Sequence, residues 1–394
     1  MSRPVNGNRS IRVLLANHHV REPGGAENYA VYLAAGLAFL GHRVVLTWNG
    51  ERPLPEWPGG EVPPGVEVLR HGYSGVRDIR ANLLLSLWHP RTRRDMRRLC
   101  GRIAPEVVHV NQTYEGDGID LVRGALEHGK SRVLGTIHLR ADPPEANRLL
   151  GAGKRFLLRP FFRRHRYIKI CPSAGQRMGF ARVYGEDGSL RIVPNGIPLP
   201  PVPDEAGARE AKRAFGLDGK TVLAYAGRVC REKGMDTLAA AFLAARERRG
   251  DLFLLVMGDG PMRAEMERAL AAEVSAGRAL FTGWVPDAVR RLAAADLFVL
   301  PTRFEAMPLS VIEALSMGIP CLCTPYEGIE DLLSLGANPE VAGGMGAREF
   351  TAGLARVVAD LPACRDRALK GMPKVREVFS HLRMAEETAR LYDE

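Results

Sequence analysis

Two cations stand where a short apolar run gives way to a helix in the second half of the chain. Arg228 follows the run Val222–Ala226, and Lys233 precedes the next helical stretch. An arginine fork and a lysine point charge together suit a diphosphate. Charged side chains are also common in surface loops, so an ordinary solvent-exposed turn is the alternative. The pattern makes this loop a candidate anion site.

Two glutamates accompany the most densely patterned loop of the sequence, Pro301–Leu309. Glu305 lies within the loop, and Glu313 lies in the helix predicted over Ser310–Gly318. The start of that helix offers backbone N–H groups to an anion, and the carboxylates can accept hydrogen bonds from sugar or ribose hydroxyls. Alternatively, both are surface glutamates near a helix N-terminus, which the helix dipole favours in any case.

Three positions in the first half follow strands in a way that could serve a ligand. Gly24-Gly25 opens a helix after the first strand, which suits a bound anion or an ordinary tight turn. His138 follows the strand predicted over Arg132–Ile137, at the end where α/β proteins place their sites. Asn195 follows the last strand of this half, either in an Asn-Gly turn or at the mouth of a cleft between domains.

The whole chain alternates β-branched runs with helical stretches, which predicts parallel sheets covered on both faces. Five prolines within Pro194–Asp204 interrupt the alternation and predict a linker. We therefore expect an α/β protein with two doubly wound domains of similar size and a cleft between them. The predicted strands are Ile11–Ala16, His42–Thr47, Val66–Leu69, Val107–Asn111, Arg132–Ile137, Ile168–Cys171, Leu190–Val193, Val222–Ala226, Leu252–Met257, Ala279–Phe281, Leu297–Leu300 and Cys321–Cys323.

Positive charge is concentrated in the first half. Residues 1–200 hold 30 basic and 17 acidic side chains, whereas residues 201–394 hold 25 and 28. The excess lies in two arginine-rich segments, 91–102 and 154–169, and Pro160 is predicted to begin a fresh helix in the second. These segments form either solvated helix faces or a cationic surface for an anionic membrane or acceptor. The candidate surface residues are Arg94, Arg98, Arg159, Phe161, Phe162 and Arg163.

Several protein classes are disfavoured by composition. With 46% apolar and 25% charged residues the chain is globular. The polar start predicts no signal peptide, and the apolar stretch 29–41 is too short to cross a bilayer. Six cysteines without metal-ligand spacing predict reduced thiols in a cytoplasmic protein. Arg263 occupies the third glycine position of a dinucleotide fingerprint, and no nucleic-acid module is recognisable.

Taken in order, the motifs of this sequence resemble those of the family 4 glycosyltransferases, which have the GT-B fold. Each motif is common by itself, whereas the ordered set is specific to the family. The resemblance spans about residues 11–331. The matching motifs are Gly24-Gly25-Ala26-Glu27, Thr136-Ile137-His138, Val193-Pro194-Asn195-Gly196, Gly227-Arg228 with Lys233-Gly234, Gly258-Asp259-Gly260-Pro261, Phe281-Thr282-Gly283, and Glu305 to Glu313 with Ala314.

The resemblance implies retaining sugar transfer from a UDP- or GDP-sugar to a saccharide, a lipid-linked saccharide or another envelope or metabolite acceptor, without metal or cofactor. It implies a Rossmann-like acceptor-side domain over residues 1–200 and a donor domain over 201–372. A final helix within 373–394 is expected to pack back on the first domain. The protein is expected in the cytoplasm, either dissolved or peripheral at the inner face of the membrane.

The resemblance also assigns roles to individual residues. Arg228 and Lys233 would hold the donor diphosphate, and Glu313 would accept from the ribose hydroxyls. Glu305 and His138 would be the catalytic residues that contact the transferred sugar near its reacting carbon. The remaining donor-binding positions are Gly24, Gly25, Asn195, Gly258, Trp284, Val285, Met307 and Leu309.

Two rival functions share this fold or these motifs. A sugar-nucleotide epimerase needs acid and base groups but no acceptor, and a nucleotide-binding scaffold would have lost catalysis. The intact set of Arg228, Lys233, Glu305 and Glu313 argues against the scaffold. The sequence departs from the family at Ala306, where glycine is usual, and over Leu335–Arg348, which lacks the usual apolar loop.

Overall fold

The computed structural model describes residues 9–17, 24–48, 54–71, 90–139, 148–285 and 288–394. The chain divides into two compact units, one of residues 1–198 with 379–394 and the other of residues 199–378. The first crossing between units falls inside the proline-rich segment predicted as a linker. The second falls at residue 379, so the expected boundary at residue 373 lies inside a helix of the second unit.

In the described part of the chain, the first unit contains a seven-stranded parallel sheet of order β3-β2-β1-β4-β5-β6-β7. This is the doubly wound order, in which the chain starts in the middle and winds outward in both directions. The inner strands are buried on both faces, which explains their unbroken apolar runs. The strands are β1 (Arg12–Asn17), β2 (Arg43–Trp48), β3 (Val66–Arg70), β4 (Val107–Tyr114), β5 (Arg132–Leu139), β6 (Ile168–Cys171) and β7 (Leu190–Ile192).

Helices cover this sheet and bury an aromatic cluster against it. Phe162 packs on Phe180 and Tyr184, with ring centroids 5.0 and 4.7 Å away. Leu158 and Phe161 belong to the same buried core. The helices that precede the first crossing are α1 (Gly25–Phe39), α2 (Pro90–Ile103), α3 (Ile119–His128), α4 (Arg148–Arg164) and α5 (Ala174–Tyr184).

Two sequence predictions about α4 were wrong. Phe161 and Phe162 are core residues, 6% and 2% exposed, rather than part of a surface. Together with Leu158 they follow the i, i+3, i+4 spacing of a buried helix face. Pro160 lies inside the continuous helix instead of starting a new one. Because Pro160 removes one helical hydrogen bond, the buried residues on either side of it must supply the packing that keeps the helix intact.

The second unit repeats the same topology with a six-stranded parallel sheet of order β10-β9-β8-β11-β12-β13 among its described residues. One of these strands, β13, was not predicted, because two residues give no readable alternation. The strands are β8 (Thr221–Ala226), β9 (Leu252–Met257), β10 (Ala279–Gly283), β11 (Leu297–Leu300), β12 (Cys321–Cys323) and β13 (Glu340–Val341).

The helices of the second unit alternate with these strands. Two short 3₁₀ turns, Arg231–Lys233 and Leu292–Ala294, precede α7 and β11. The helices are α6 (Glu205–Ala214), α7 (Met235–Arg246), α8 (Arg263–Ala269), α9 (Ala271–Ser275), α10 (Ala288–Arg291), α11 (Leu309–Ser316), α12 (Ile329–Ser334), α13 (Ala347–Ala359) and α14 (Leu361–Val378).

The last helix, α15 (His381–Asp393), belongs to the first unit and packs on α1. It begins at Ser380, whose hydroxyl accepts from the N–H of Arg383 at 3.1 Å. Its entry is fastened by the Ile197 N–H, which donates to the Phe379 carbonyl at 2.8 Å. A side chain at Gly196 would come within 2.4 Å of the Ser380 carbonyl oxygen. Glycine is therefore required there for close backbone packing.

The described residues contain neither a membrane-spanning helix nor a cluster of metal-ligating side chains. None of their helices combines the length and apolar character that a bilayer crossing requires. Nor do they group three or more His, Cys, Asp or Glu side chains where a metal ion could be held.

Candidate functional site

Polar side chains gather at the carboxyl edge of the first sheet, where β1, β4 and β5 lie side by side. Asn17 ends β1, and its register partner in β4 is Asn111. The Asn111 amide nitrogen donates to the Asn17 Oδ1 at 3.0 Å and to the carbonyl of Ala26, at the start of α1, at 2.8 Å. This edge is therefore linked by buried amides to the first turn of α1.

His138 lies in this edge as the penultimate residue of β5, because the strand runs two residues beyond its predicted end at Ile137. Its Nε2 is 2.7 Å from the Oδ1 of Asn111, and its ring meets Tyr29 edge-on with centroids 4.6 Å apart. Only 8% of the residue is exposed. Burial lowers the pKa of His138 to about 3, so the imidazole is neutral at pH 7.

A second buried histidine, His109 of β4, lies close to His138. His109 shares a hydrogen bond with the Thr136 hydroxyl at 2.7 Å through Nε2 and with the Tyr392 hydroxyl at 3.1 Å through Nδ1. Thr136 also bonds Tyr29 at 2.9 Å. Burial lowers the pKa of His109 to about 3, and His138 adds to that effect. The chain of bonds connects α15 to the tyrosine that packs against His138.

The glycine pair begins α1 beside these amides. Gly24 is the N-cap residue, and its N–H donates to the Glu27 carboxylate at 2.9 Å. Gly25 is exposed, whereas Glu27 is buried. The carboxylate at this position thus closes the first helical turn. Asn195 is 5% exposed, and it precedes the glycine that packs against Ser380.

The second sheet has a carboxyl edge of a different kind, in which backbones approach closely. Gly258, just after β9, has φ +147°, and a Cβ there would lie 1.9 Å from the carbonyl oxygen of Gly227. The N–H of Val229 donates to the Asp259 carbonyl at 2.8 Å. The segment Gly258-Asp259-Gly260-Pro261, an incomplete dinucleotide fingerprint, therefore forms a tight junction between the loops after β8 and β9.

Lys233, predicted to bind phosphate, and Glu305, predicted to contact the sugar, lie together at this edge. Lys233 forms an ion pair with Glu305, and each side chain is only 14% exposed. The loop that carries Glu305 is tied to the loop after β8, because Arg303 donates to the Arg231 carbonyl at 2.6 Å and to Asp236 at 2.7 Å. Sequence spacing located both residues but did not indicate that they pair.

Arg228 lies in the same loop and is exposed at the end of β8. Its carbonyl oxygen accepts from the buried Tyr225 hydroxyl at 2.6 Å. This bond fixes the backbone of the loop at the exposed Arg228. The loop thus carries two exposed cations, Arg228 and Arg231, and one mostly buried cation, Lys233.

Glu313 is buried in α11, with 8% of its surface exposed. Burial raises the pKa of this carboxyl to about 7. Met307 and Leu309 are buried on either side of Pro308, the N-cap residue of the helix. A carboxyl with this pKa is divided between its two protonation states at neutral pH.

Trp284 and Tyr326, two aromatic residues that follow strands of the second sheet, differ widely in exposure. Trp284 follows β10 and is 60% exposed, and Val285 beside it is half-buried. Tyr326 follows β12 and is 3% exposed, and its hydroxyl has no hydrogen-bond partner among the described residues. Sequence motifs indicated Trp284 as a site residue but gave no indication of Tyr326.

The arginine segments keep their cations on the surface. Arg94 and Arg98 of α2 are exposed, as are Arg159 and Arg163 of α4. The exposed aromatic residue of α4 is Phe156, at 77%, next to Leu157 at 43%. Phe156 precedes Arg159 and Arg163 at i+3 and i+7 spacing and so shares their face. Phe156 is therefore the aromatic residue of this surface, in place of the predicted Phe161 and Phe162.

The residues that sequence reasoning missed are the amides of the first edge. Asn111 attracted no functional prediction because a polar residue at a strand end has many uses. The signal was the doubly wound order, which makes β1, β4 and β5 neighbours. That order places Asn17, Asn111 and His138 at one edge of the sheet.

Two family models match this chain. The one described as Glycosyltransferase Family 4 matches residues 23–199, and the one described as Glycosyl transferases group 1 matches residues 220–360. The first match ends one residue beyond the first structural unit, and the second lies wholly within the second unit. Together they take in both carboxyl edges described above apart from Asn17.

Curated relatives match over shorter segments. An alpha-D-kanosaminyltransferase of Streptomyces kanamyceticus is 27% identical over 41% of this chain, and a 2-deoxystreptamine glucosyltransferase of the same organism is 32% identical over 37%. A putative teichuronic acid biosynthesis glycosyltransferase, TuaC of Bacillus subtilis, is 36% identical over 38%. These matches cover 42%, 40% and 36% of the relatives' own lengths, so this chain spans less than half of each.

Solved structures match over nearly the whole chain. Sucrose-phosphate synthase from Thermosynechococcus elongatus has a TM-score of 0.77 at 21% identity, covering 98% of both chains. Anabaena HepE in complex with UDP has a TM-score of 0.74 at 15% identity, covering 97% of this chain and 100% of that one. The shared fold is GT-B, built from two Rossmann-like units. With its ordered motifs and both family matches, this chain belongs to the family 4 glycosyltransferases.

Proposed function

We propose that this protein is a retaining glycosyltransferase that moves a sugar from a UDP- or GDP-sugar to a saccharide, a lipid-linked saccharide or another envelope or metabolite acceptor. The observation that supports this proposal is the partly buried pair of Lys233 and Glu305 at the carboxyl edge of the second sheet. In a family 4 chain, such a pair offers one group for phosphate and one for sugar. The named relatives include a 2-deoxystreptamine glucosyltransferase and a protein of teichuronic acid biosynthesis, so both small and polymeric acceptors are candidates.

The donor diphosphate is assigned to the loops after β8 and β9. Lys233 would divide its ammonium protons between Glu305 and a phosphate oxygen, while Arg228 reaches the phosphates from the exposed side. The absence of a side chain at Gly258 keeps the adjoining backbones close. Backbone N–H groups near Met307 and Leu309 assist at the start of α11. These positive groups stabilise the charge that develops on the leaving diphosphate.

The sugar and the nucleoside are assigned to neighbouring residues. Glu305 contacts the transferred sugar near its reacting carbon, held in place by Lys233. Glu313 accepts from the ribose hydroxyls when it is ionised. Trp284 and Val285 lie near the base, and the exposed indole of Trp284 provides a flat apolar surface for it.

We assign the uncharged groups of the first unit to sugar binding. His138 contacts the transferred sugar, and Gly24, Gly25 and Asn195 lie on the donor side. Amides and a neutral imidazole can bond hydroxyls in both directions without placing a charge beside the diphosphate. Burial of His138 suits it to orienting the sugar rather than to delivering a proton at pH 7.

The proposed reaction breaks the bond between the anomeric carbon and the phosphate oxygen. A bond from the acceptor oxygen to that carbon forms on the same face of the sugar. The acceptor's hydroxyl proton passes to the leaving phosphate oxygen, so no protein base is required. Arg228 and Lys233 supply positive charge to the leaving group, and we accordingly expect transfer to persist after treatment with a metal chelator.

A nucleotide panel followed by turnover assays tests this proposal. UDP, GDP, ADP and dTDP are compared in thermal unfolding, and UDP or GDP should raise Tm by about 5–10 °C at a hundred times its Kd. Sugar donors of that nucleotide are then assayed with and without acceptors. No stabilisation by any nucleotide would overturn the donor site. Donor conversion without an acceptor would indicate an epimerase, and binding without any turnover would indicate a silent scaffold.

The acceptor or membrane surface is assigned to the arginine faces of the first unit. Arg94 and Arg98 of α2 and Arg159 and Arg163 of α4 provide the charge, and Phe156 provides an exposed apolar side chain. Exposed cations beside an aromatic ring suit the headgroup region of an anionic bilayer. Docking there would bring a lipid-linked acceptor to the enzyme.

Vesicle co-sedimentation tests this surface. Binding should require anionic lipid and weaken with added salt. Phe156→Ser should weaken it several-fold, whereas Phe39→Ser, an exposed phenylalanine at the end of α1, should not. Binding that ignores both lipid charge and salt would contradict the assignment.

A further inference from the structure

The orientation of the Asn111 amide is dictated by its neighbours. One nitrogen, Nδ2, is 2.8 Å from the Ala26 carbonyl oxygen and 3.0 Å from the Asn17 Oδ1. A backbone carbonyl can only accept, so the group facing Ala26 must be the NH₂. The two acceptors engage both of its hydrogens. The remaining group of Asn111, its Oδ1, therefore faces His138.

That orientation determines where His138 carries its proton. The Asn111 Oδ1 is 2.7 Å from Nε2 of His138, and an amide oxygen can only accept. Nε2 must therefore be the protonated nitrogen. Because burial keeps the ring neutral at pH 7, Nδ1 retains a lone pair. No described residue forms a hydrogen bond with Nδ1.

The ring is also held in place from the side. Tyr29 meets His138 edge-on, and its hydroxyl is bonded to Thr136 at 2.9 Å. Tyr29 and Thr136 are 0% and 1% exposed, so these contacts are sheltered from water. The imidazole thus has a fixed plane as well as a fixed proton.

We infer that Asn111 is a positioning residue that holds His138 as the Nε2–H tautomer, so that Nδ1 accepts a hydrogen bond from a hydroxyl of the transferred sugar. The tautomer follows from the contacts alone, whereas the sugar contact rests on the proposed function. The same tautomer makes His138 a poor proton donor toward the substrate. A sugar that lacks the contacted hydroxyl would leave the lone pair unmatched, which gives the site a means of discrimination.

The tautomer can be measured directly on the full chain. With ¹⁵N-labelled histidine, the two ring nitrogens of His138 are assigned by the signals that vanish in His138→Gln. At pH 7 the expected pattern is a protonated Nε2 and an unprotonated Nδ1 in the unliganded protein. A protonated Nδ1, or an imidazolium, would overturn the inference.

Two variants separate positioning from mere stability. Asn111→Leu removes the acceptor, so the Nδ1–H tautomer should become populated and kcat/KM should fall about tenfold with UDP or GDP affinity unchanged. Gln112→Met removes an equally buried amide from the next position of β4, where it donates to the Asp117 carbonyl at 2.5 Å. That control should keep the wild-type tautomer. An unchanged tautomer in Asn111→Leu would contradict the positioning role.

Paired ligands test the sugar contact. UDP-glucose and UDP share the same nucleoside diphosphate, and so do GDP-mannose and GDP. Only the first member of each pair carries the transferable sugar. The sugar nucleotide that binds should shift the Nδ1 resonance, and its nucleoside diphosphate should not. Tight binding of both members without any shift would overturn the sugar contact. If no nucleotide binds at all, the proposed function fails while the tautomer result stands on its own.

Discussion

The two sheets of this protein have the same strand order but opposite chemistry at their carboxyl edges. The strand ends of the first edge are neutral, with amides, hydroxyls and two histidines whose pKa values burial lowers to about 3. The second edge is charged, with the Lys233–Glu305 pair and Glu313. The doubly wound topology therefore gives each sheet a carboxyl edge where a ligand can bind, and the side chains at that edge determine which ligand it is. A neutral edge suits hydroxyls, and a charged edge suits a diphosphate.

The edges also differ in how their loops are held, since the second relies on backbone contact at Gly258. Gly258→Ala would place a Cβ 1.9 Å from the Gly227 carbonyl oxygen at φ +147°. We expect a loss of about 4 kcal/mol in the free energy of unfolding, from overpacking and backbone strain together. The measurement is urea unfolding monitored by far-UV circular dichroism.

The matched control is Gly277→Ala, at φ +63° with no atom within 4 Å of a Cβ. It isolates the backbone strain and should cost about 1 kcal/mol. Equal losses in the two variants would show that close approach of the loops contributes nothing to this edge.

The second largest effect should appear at Glu313. Its pKa of about 7, against 4.5 for an ordinary glutamate, means that the fold favours the protonated form. That contribution to stability is complete below about pH 4.5 and is lost as the pH rises through 7. Glu313→Gln should match wild type near pH 4.5 and be about 3 kcal/mol more stable at pH 8. Urea unfolding across this range tests it, and a pH-independent difference would refute the assignment.

The smallest effect is expected when a tyrosine hydroxyl is removed. Tyr392 of the first unit has a hydrogen-bonded hydroxyl, whereas the hydroxyl of Tyr326 in the second unit has no partner among the described residues. Tyr392→Phe leaves Nδ1 of His109 without its partner at 3.1 Å and should cost about 1 kcal/mol. Tyr326→Phe removes a buried hydroxyl that has no partner among the described residues, and it should be neutral or slightly stabilising. Thermal unfolding of both variants checks this, and the reverse order of stabilities would contradict the hydrogen-bond network.

Sequence patterning predicted the fold well because buried parallel strands leave a strong signal. All twelve predicted strands occur, and β13 escaped because two residues carry no pattern. Phe161 and Phe162 were misplaced because their closeness in sequence to arginines outweighed their helical spacing with Leu158. The spacing was the better guide, since it identifies which side of α4 packs on the core.

The candidate site was predicted only in part. His138, Glu305 and Glu313 stand out in sequence because they follow strands or occupy a recurrent motif. Asn111 does not, because its role depends on which strand lies beside β4 and on the carbonyl of Ala26. Partnerships across separate loops need three-dimensional coordinates, since no local pattern encodes them.

The central claim is that the charged edge of the second unit binds the donor diphosphate through Lys233. Titration calorimetry with UDP and GDP tests it most directly, using Lys233→Ala against Lys212→Ala. Lys212 pairs with Asp296 at 2.6 Å with side chains 20% and 19% exposed, and that pair lies beside the N–H of Val222 at the start of β8. Lys233→Ala should weaken binding about a hundredfold, and Lys212→Ala should leave it unchanged. Equal affinity in both variants and wild type would contradict the account.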